Sequence, residues 1–255
     1  MKQPHPRTLA QVSNDVRTRG DWPGTVQMRR GWAAARVRPW NDQTTAIAAL
    51  RLDRGGDRFL VACCEWLFAH DVRTVLSPAI AAGQLGVWRR AGFEDHLELT
   101  LFERSLGRPA APPATPVEKL VDPDVTALAK IDDLAFDETW RVGREGLADA
   151  LVATPASAVL TVGQSRKLGG FVIVGEALGV AYLQRLAVDP YLTGRGVGRS
   201  LVRASIRWAR ARGARTMLLN TQPDNRAAAG LYVSEGFVRL SARLQVLART
   251  GEAPP

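Results

Sequence analysis

Cysteine is scarce in this sequence, whose 255 residues include only Cys63 and Cys64. Because these two are adjacent, they cannot form an ordinary disulfide framework, and we expect them to be small buried residues on a helix. No apolar run approaches the roughly 20 residues that a membrane span needs. Residues 1–6 contain no apolar stretch of the kind that follows the basic start of a secretory signal. We therefore expect a cytoplasmic protein with no membrane partner.

The sequence also lacks the patterns that usually accompany nucleic-acid binding. Its formal net charge is +9, but the basic residues are nearly all arginine and are spread along the chain. There is no Lys/Arg block, no zinc-finger spacing and no aromatic–basic motif of the RNA-binding kind. An anionic, nucleotide-like ligand would account for part of the charge and solubility for the rest. Nucleic acid is therefore kept only as an alternative partner.

The clearest break along the chain is rich in proline. Residues 107–116 contain four prolines and cannot hold a helix or a central strand, which is typical of a semi-rigid linker. We predict an N-terminal domain at 25–106 and a C-terminal domain at 117–250 on either side of this linker. Residues 1–24 are predicted to be a flexible arm.

The two halves of the sequence resemble each other. Trp66 and Trp208 lie at matching positions of similar helical segments, and the sequence GVWRRAGF at 86–93 aligns with GLYVSEGF at 230–237. Helix, strand, helix and final strand recur in one order with nearly one spacing. The pattern predicts a tandem of two related domains.

Hydrophobic periodicity in the C-terminal half alternates between helical and extended segments. Asp124 can cap a helix that runs to Phe136. The extended run 178–188 stops before Pro190, because proline cannot continue a central strand. Further helices are predicted at 146–154, 199–212 and 225–235, and further strands at 157–162, 170–174, 216–219 and 237–247. The mixture predicts an α/β (α+β) fold.

A glycine-rich turn joins the strand that ends at Val188 to the helix that begins near Arg199. Such a turn points several backbone N–H groups, together with the positive end of the helix dipole, at one anion. Gly194, Gly196 and Gly198 remove side chains, so that a phosphate can approach the backbone. The turn therefore predicts a phosphate or pyrophosphate site.

Two familiar phosphate-binding motifs do not fit this turn. The dinucleotide pattern G-x-G-x-x-G fails at its third glycine, and the P-loop pattern fails on spacing. The segment Thr193-Gly194-Arg195-Gly196-Val197-Gly198 instead resembles the acetyl-coenzyme A (acetyl-CoA) signature Q/R-x-x-G-x-G/A of the GNAT acetyltransferases. Thr193 departs from the usual glutamine or arginine, while the backbone contacts survive this change.

A second motif supports the resemblance. Asn225-Arg226-Ala227-Ala228, followed by LYVSEGF at 231–237, resembles the N-x-x-A…LY…GF element of the same family. The likeness covers about residues 117–247. The segment 183–190 is similar to the branch that contains ribosomal-protein alanine acetyltransferases, whereas the tandem layout is similar to mycothiol synthase.

The resemblance implies two GNAT-like domains, each a mixed, mostly antiparallel sheet flanked by helices. It also implies an N-acetyltransferase in which a primary amine of a small molecule, peptide or protein attacks the acetyl-CoA thioester directly. Tyr232 matches the tyrosine that protonates the departing thiolate. The residues that the resemblance and the turn assign to cofactor binding are Leu186, Ala187, Val188, Thr193, Gly194, Arg195, Gly196, Val197, Gly198, Arg199 and Asn225. No metal site is expected.

Several assignments keep alternatives. Tyr232 could be a buried structural tyrosine and Asn225 a helix cap. Arg199, Arg203, Arg207 and Arg210 share one helical face that could simply be solvated, although Arg199 and Arg203 could reach a phosphate. No general base is named: Asp137, Glu138 and Glu176 are candidates by position, and surface solvation is favoured for each.

The N-terminal half is predicted to be a degenerate copy. Its loop, residues 52–58, is shorter and carries Asp53 and Asp57, which would repel a pyrophosphate. Trp88 replaces the tyrosine, so no hydroxyl can serve as an acid. A non-catalytic acyl-CoA-binding or regulatory module is the alternative function for the chain as a whole.

Overall fold

The computed structural model describes residues 16–42, 44–164 and 167–251. The strands in chain order are β1 (Arg17–Arg19), β2 (Val26–Arg30), β3 (Ala33–Asn41), β4 (Thr44–Arg54), β5 (Thr74–Leu76), β6 (Ile80–Ala81), β7 (Glu94–Ser105), β8 (Glu118–Leu120), β9 (Ala156–Gln164), β10 (Lys167–Ala177), β11 (Val180–Val188), β12 (Thr216–Thr221) and β13 (Val238–Thr250). The helices are α1 (Asp57–Phe68), α2 (Leu85–Arg90), α3 (Val125–Ala135), α4 (Gly143–Val152), α5 (Val197–Ala211) and α6 (Arg226–Ser234). None of them is long and apolar enough to cross a membrane in the part of the chain that the structure describes.

Two compact units divide the chain, and their limits fall inside strands. Among the described residues, one unit contains 16–42, 44–98 and 244–251, and the other contains 99–164 and 167–243. Strands β7 and β13 therefore each contribute residues to both units. The proline-rich segment 107–116 lies wholly within the second unit, which differs from the boundaries at 25–106 and 117–250 expected from composition.

In the first unit, the strand order is β1-β2-β3-β4-β5, followed by residues 244–250 of β13. Only the β4–β5 pair is parallel in this order. Helix α1 packs its apolar side into a core that contains Met28, Leu50 and Leu60. Cys63 and Cys64 are buried on α1, which confirms their expected role as small core residues.

The second unit has the sheet order β7 (residues 99–105), β12, β11, β10, β9, β8. Only the β11–β12 pair is parallel. One core cluster joins this sheet to α5 through Leu201 and Ile206, and a second joins it to α3 and α4 through Leu128 and Leu147. The mixed, mostly antiparallel sheet flanked by helices is confirmed.

The repeated order of elements is present as the sequence indicates. The order α1, β5, α2 and β7 in the first half, with the two-residue β6 inserted before α2, matches the order α5, β12, α6 and β13 in the second. Asp124 caps α3 by accepting a hydrogen bond from the Thr126 N–H at 2.9 Å. Of the predicted flexible arm, residues 1–15 lie outside the described residues, whereas residues 17–19 form β1 and pair with β2.

Candidate active site

The centre of the candidate site is the point where β11 and β12 separate. Their parallel pairing runs from Val180 opposite Thr216 to Leu183 opposite Leu219 and includes no later residue of either strand. Residues 185–188 of β11 stay paired with β10 on their other side. Because alternate backbone groups of a strand point to opposite edges, residues 185–188 present unpaired N–H and C=O groups towards β12. The strands therefore diverge at the three residues of β11 that the sequence assigns to cofactor binding, Leu186, Ala187 and Val188.

A β-bulge accompanies the divergence. Ile173 of β10 lies opposite Arg185, and the next residue, Val174, lies opposite Leu183, so that Gln184 is the extra residue. A bulge re-aims the side chains around it. Leu183 joins the core on the α5 side, while Gln184 and Arg185 both contact the side of the sheet covered by α3 and α4.

The glycine-rich turn lies directly beyond the end of β11. Gly194 and Gly196 both adopt φ +79°, a left-handed conformation that favours glycine. A Cβ added at either position would meet no atom within 4 Å, so the space over the turn is open. A Cβ on Gly198 would touch Val188 and Leu231, so the start of α5 packs against β11 and α6.

The N-terminus of α5 has the donors that an anion needs. Gly196 is the N-cap and provides no side-chain cap. The first helical hydrogen bond runs from the Ser200 N–H to the Gly196 C=O at 3.0 Å. The N–H groups of Gly196, Val197, Gly198 and Arg199 therefore have no carbonyl partner within the helix. Thr193, Gly194, Arg195 and Gly196 are exposed, and the helix dipole adds positive potential at this end.

Tyr232 lies on α6 and is 5% exposed. Its ring packs between Phe102 and Phe237, each with a centroid separation of 5.9 Å. Burial raises the pKa of Tyr232 to about 12, and the Arg185 guanidinium opposes part of that rise. The phenol is therefore protonated throughout the neutral range. No hydrogen bond to its hydroxyl is found within the described ranges, so the group is free to donate a proton.

The arginines of α5 do not form a simple solvated face. The Arg199 guanidinium lies 2.8 Å from the carboxylate of Glu235, and Arg203 donates to both oxygens of the same carboxylate at 2.9 and 3.0 Å. Glu235 follows α6 directly and is buried. Arg210 donates to the Leu106 C=O. The two arginine contacts to Glu235 tie α5 to the end of the helix that carries Tyr232.

A buried ion pair that sequence reasoning missed fixes β11 to α3. Arg185 donates to both carboxylate oxygens of Asp132 at 2.6 and 2.8 Å and to the Trp140 C=O at 2.9 Å. Asp132 is fully buried, and the Arg185 guanidinium stacks 3.7 Å from the centroid of the Phe136 ring. The only signal was an aspartate beside Ile131, on the apolar stripe of a predicted helix, where a charge needs a partner.

Asn225 caps α6. Its Oδ1 accepts from the Ala228 N–H at 3.0 Å, and its Nδ2 donates to Gln222 Oε1 at 3.2 Å. The capping alternative thus has a structural basis, while its cofactor contact stays a prediction. Among the three carboxylates considered as bases, Asp137 accepts from backbone N–H groups at Thr139 and Trp140. Glu176 accepts from the Gly179 N–H at 2.8 Å. Both stabilise turns.

The first unit has the same architecture without the same chemistry. Pairing of β4 with β5 also ends early, at Ala49 opposite Leu76. In the following turn a Cβ at Gly55 would lie 3.0 Å from Phe59 and 3.1 Å from Ala33, whereas a Cβ at Gly56, the N-cap of α1, would meet no atom within 4 Å. Trp88 is buried edge-on against Phe93 at 4.9 Å. The turn differs from the one before α5 mainly in charge, because it carries Asp53 and Asp57, and Asp57 is the first residue of α1.

Comparison with known proteins identifies relatives for both the second half and the full length. Residues 125–237 match the model of the acetyltransferase (GNAT) family. The chain is 29% identical over 253 residues to a mycothiol acetyltransferase of Nocardia farcinica, covering 91% of this chain and 77% of that protein. It is 29% identical over 129 residues to a ribosomal protein bS18-alanine N-acetyltransferase of Haemophilus ducreyi, covering 50% and 85%.

A solved structure shares the fold over nearly the whole length. It is a tandem GNAT protein from the clavulanic acid biosynthesis pathway, with a TM-score of 0.58 and 15% identity, covering 98% of this chain and 90% of that one. At this identity the likeness bears on the fold alone, and it extends the tandem arrangement to both halves of the chain.

Proposed function

Residues 125–237 form a domain of the GNAT acetyltransferase family, and from this premise we propose that the chain is an acetyl-CoA-dependent N-acetyltransferase. It transfers an acetyl group to a primary amine by direct attack within a ternary complex. The observation that carries the proposal is the open glycine turn at the N-terminus of α5, beside the diverging end of β11. Two relatives with curated names are acetyltransferases, in agreement with this chemistry.

The proposed cofactor site fits the residues present. The four N–H groups at the start of α5 would bind the pyrophosphate of acetyl-CoA, because they are unpaired within the helix and the space over Gly194 and Gly196 is open. Leu186, Ala187 and Val188 would bind the pantetheine arm through the backbone groups that β12 leaves unpaired. Acetyl-CoA supplies the activated acyl group.

Tyr232 is the proposed general acid. Its raised pKa keeps the proton on the phenol at neutral pH, so the O–H is available to donate to the sulfur as negative charge develops on it and the carbon–sulfur bond breaks. An acyl-enzyme is not required. Cys63 and Cys64 are buried in the first unit, and burial raises the pKa of both thiols, which suppresses the thiolate that acyl transfer would need.

The acceptor is proposed only as a class: a primary amine of a small molecule, a peptide or a protein. The two named relatives are a mycothiol acetyltransferase and a ribosomal protein bS18-alanine N-acetyltransferase. The first unit is proposed to bind no acetyl-CoA, since its turn carries Asp53 and Asp57, which would repel a pyrophosphate, and the buried Trp88 stands in place of the tyrosine. A cytoplasmic location stays a prediction.

The test combines turnover with the order of events. We expect release of free coenzyme A from acetyl-CoA only when an amine acceptor is present, with initial-rate lines that intersect as both substrates are varied. Mass spectrometry of the protein incubated with acetyl-CoA alone should detect no added acetyl group on any residue. Parallel lines with an acetylated protein would refute direct attack. Tight acetyl-CoA binding without transfer to any amine would favour the non-catalytic module.

A further inference from the structure

The bulge in β11 places the side chain of Gln184 at the point where the strands separate. Gln184 directly follows Leu183, the last residue paired with β12, and directly precedes Arg185, whose charge acts on Tyr232. The Gln184 amide extends to the side of the sheet covered by α4, where its Nε2 lies 3.4 Å from Thr154 Oγ1. The amide thus contacts the segment just after α4, on the side of the sheet where Arg185 pairs with Asp132.

The hydrogen bonds of Thr154 determine which end of the amide faces it. The Thr154 hydroxyl donates its only proton to the Ala156 C=O at 2.9 Å. It can therefore only accept from Gln184, so the Nε2 end points at Thr154 and the Oε1 end points away. This orientation follows from donor and acceptor counting and does not depend on telling nitrogen from oxygen in the amide.

Gln184 Oε1 is buried and has no donor among the described residues. A buried acceptor without a donor is costly, and such groups call for a reason. The space for this arrangement is kept by Gly175 of β10, because a Cβ there would lie 2.1 Å from Thr154 Oγ1 and 2.6 Å from Gln184 Nε2. Three elements thus hold one amide in a single orientation with its oxygen unsatisfied.

We propose that Gln184 Oε1 binds the acceptor amine by accepting a hydrogen bond from its N–H. This inference rests on the proposed function. The amine must lose a proton before attack, and the neutral amide of Gln184 can accept a hydrogen bond from it without favouring the charged ammonium form. A carboxylate at the same place would favour the charged ammonium form and so oppose deprotonation. Gln184 is therefore a residue that positions the nucleophile and contributes to acceptor specificity.

The experiment compares Gln184→Met with the wild-type enzyme, using acetyl-CoA and four primary amines: tri-alanine, Nα-acetyl-lysine, glucosamine and spermidine. For the amine that the wild type acetylates best, we expect the acceptor KM to rise at least tenfold in Gln184→Met. The value of kcat should change less than threefold and the acetyl-CoA Kd should stay constant. Since methionine removes the unsatisfied oxygen at similar length, Tm should be equal or higher.

Gln245→Met is the matched control. Gln245 lies in the first unit, its Oε1 is also buried without a partner, and its Nε2 also makes one long bond, to Asp95 at 3.4 Å. We expect the same direction of change in Tm and no change in the acceptor KM. Thr154→Val, which removes the group that orients the amide, should raise the acceptor KM several-fold, whereas Thr154→Ser should retain the wild-type value.

Each other outcome is decisive. An unchanged acceptor KM in Gln184→Met overturns the role of Gln184 and leaves the proposed function intact. A rise in KM accompanied by a lower Tm and weaker acetyl-CoA binding indicates a structural role and also overturns the inference. If the wild type acetylates none of the four amines, the proposed function fails, and the role of Gln184 fails with it.

Discussion

Two glycines at opposite ends of α5 allow the anion site to be separated from backbone strain. Gly196 begins the helix with φ +79° and Gly213 follows its end with φ +82°. A Cβ at either position would meet nothing within 4 Å, so the two differ mainly in which helix end they occupy. Alanine at each should lower the free energy of unfolding by a similar amount, about 1–2 kcal/mol, from the left-handed backbone alone.

Aspartate at the same two positions should separate binding from strain. An added carboxylate about 4 Å from each of two phosphate charges, at the dielectric constant of water, costs about 2 kcal/mol, or roughly thirtyfold in Kd. Gly196→Asp should therefore weaken acetyl-CoA binding by at least that factor. The 15 residues of α5 span about 22 Å, well beyond the Debye length of about 8 Å. Gly213→Asp should consequently leave the Kd unchanged.

The assay is calorimetric titration of both aspartate variants with acetyl-CoA, together with thermal unfolding of all four variants. We expect Tm to fall by about 2–8 °C in both alanine variants, given about 2–4 °C per kcal/mol for a unit of this size. Equal weakening of acetyl-CoA binding in Gly196→Asp and Gly213→Asp would refute an anion site at the N-terminus of α5. So would an unchanged Kd in Gly196→Asp.

Further substitutions and labelling test the proposed acid, the contacts of Glu235 and the burial of the two thiols. Tyr232→Phe should lower kcat by about 10²–10⁴-fold with little change in the acetyl-CoA Kd. The pKa of Tyr232 is about 12 in the folded protein and near 10 in the unfolded chain, so the wild type should lose stability relative to this variant as the pH rises from 10 to 12. Equilibrium unfolding at several pH values will check this. Glu235→Gln should lower the free energy of unfolding by about 1–3 kcal/mol, measured by denaturant titration, since it weakens two charge-assisted contacts to Arg199 and Arg203. Substitution of the exposed Arg207 by glutamine should have no measurable effect in that titration. Cys63 and Cys64 should resist alkylation by iodoacetamide until the protein unfolds, because burial raises the pKa of both thiols, and rapid labelling of the native protein would contradict their burial.

Local patterns made most of the secondary structure predictable. The helix after Asp124 and the helix that carries Trp208 follow from caps and apolar periodicity, because both signals act within a few residues. The turn from β11 into α5 was also predictable, because Gly194 and Gly196 are required by backbone conformations that other residues rarely adopt.

Contacts between distant segments were not predictable from local signals. The carboxylate of Glu235 forms ion pairs with Arg199 and Arg203 of α5, which lie on a helical face that the sequence suggested could be solvated. The ion pair between Asp132 and Arg185 joins residues 53 positions apart. Helical spacing indicates which arginines share a face, but it gives no information about what lies opposite that face. The bulge at Gln184 is a matter of register between β10 and β11, which one strand alone does not encode.

The limits of the two units show a similar dependence on distant pairing. The prolines of residues 107–116 suggested a boundary, yet this segment lies within one unit. Residues 99–105 of β7 pair with β12, and residues 248–250 of β13 pair with β5. Each half of the sequence thus supplies strand residues to a unit built mainly from the other half. Amino-acid composition indicates where the backbone is stiff, but it gives no information about which strands pair with each other.

The most direct test of the central proposal is the number of acetyl-CoA molecules that bind to the wild-type protein, measured by calorimetric titration. We predict one site per chain, at the turn that precedes α5. Two sites would contradict the loss of binding in the first unit. The absence of any binding would contradict the proposed acetyltransferase function itself.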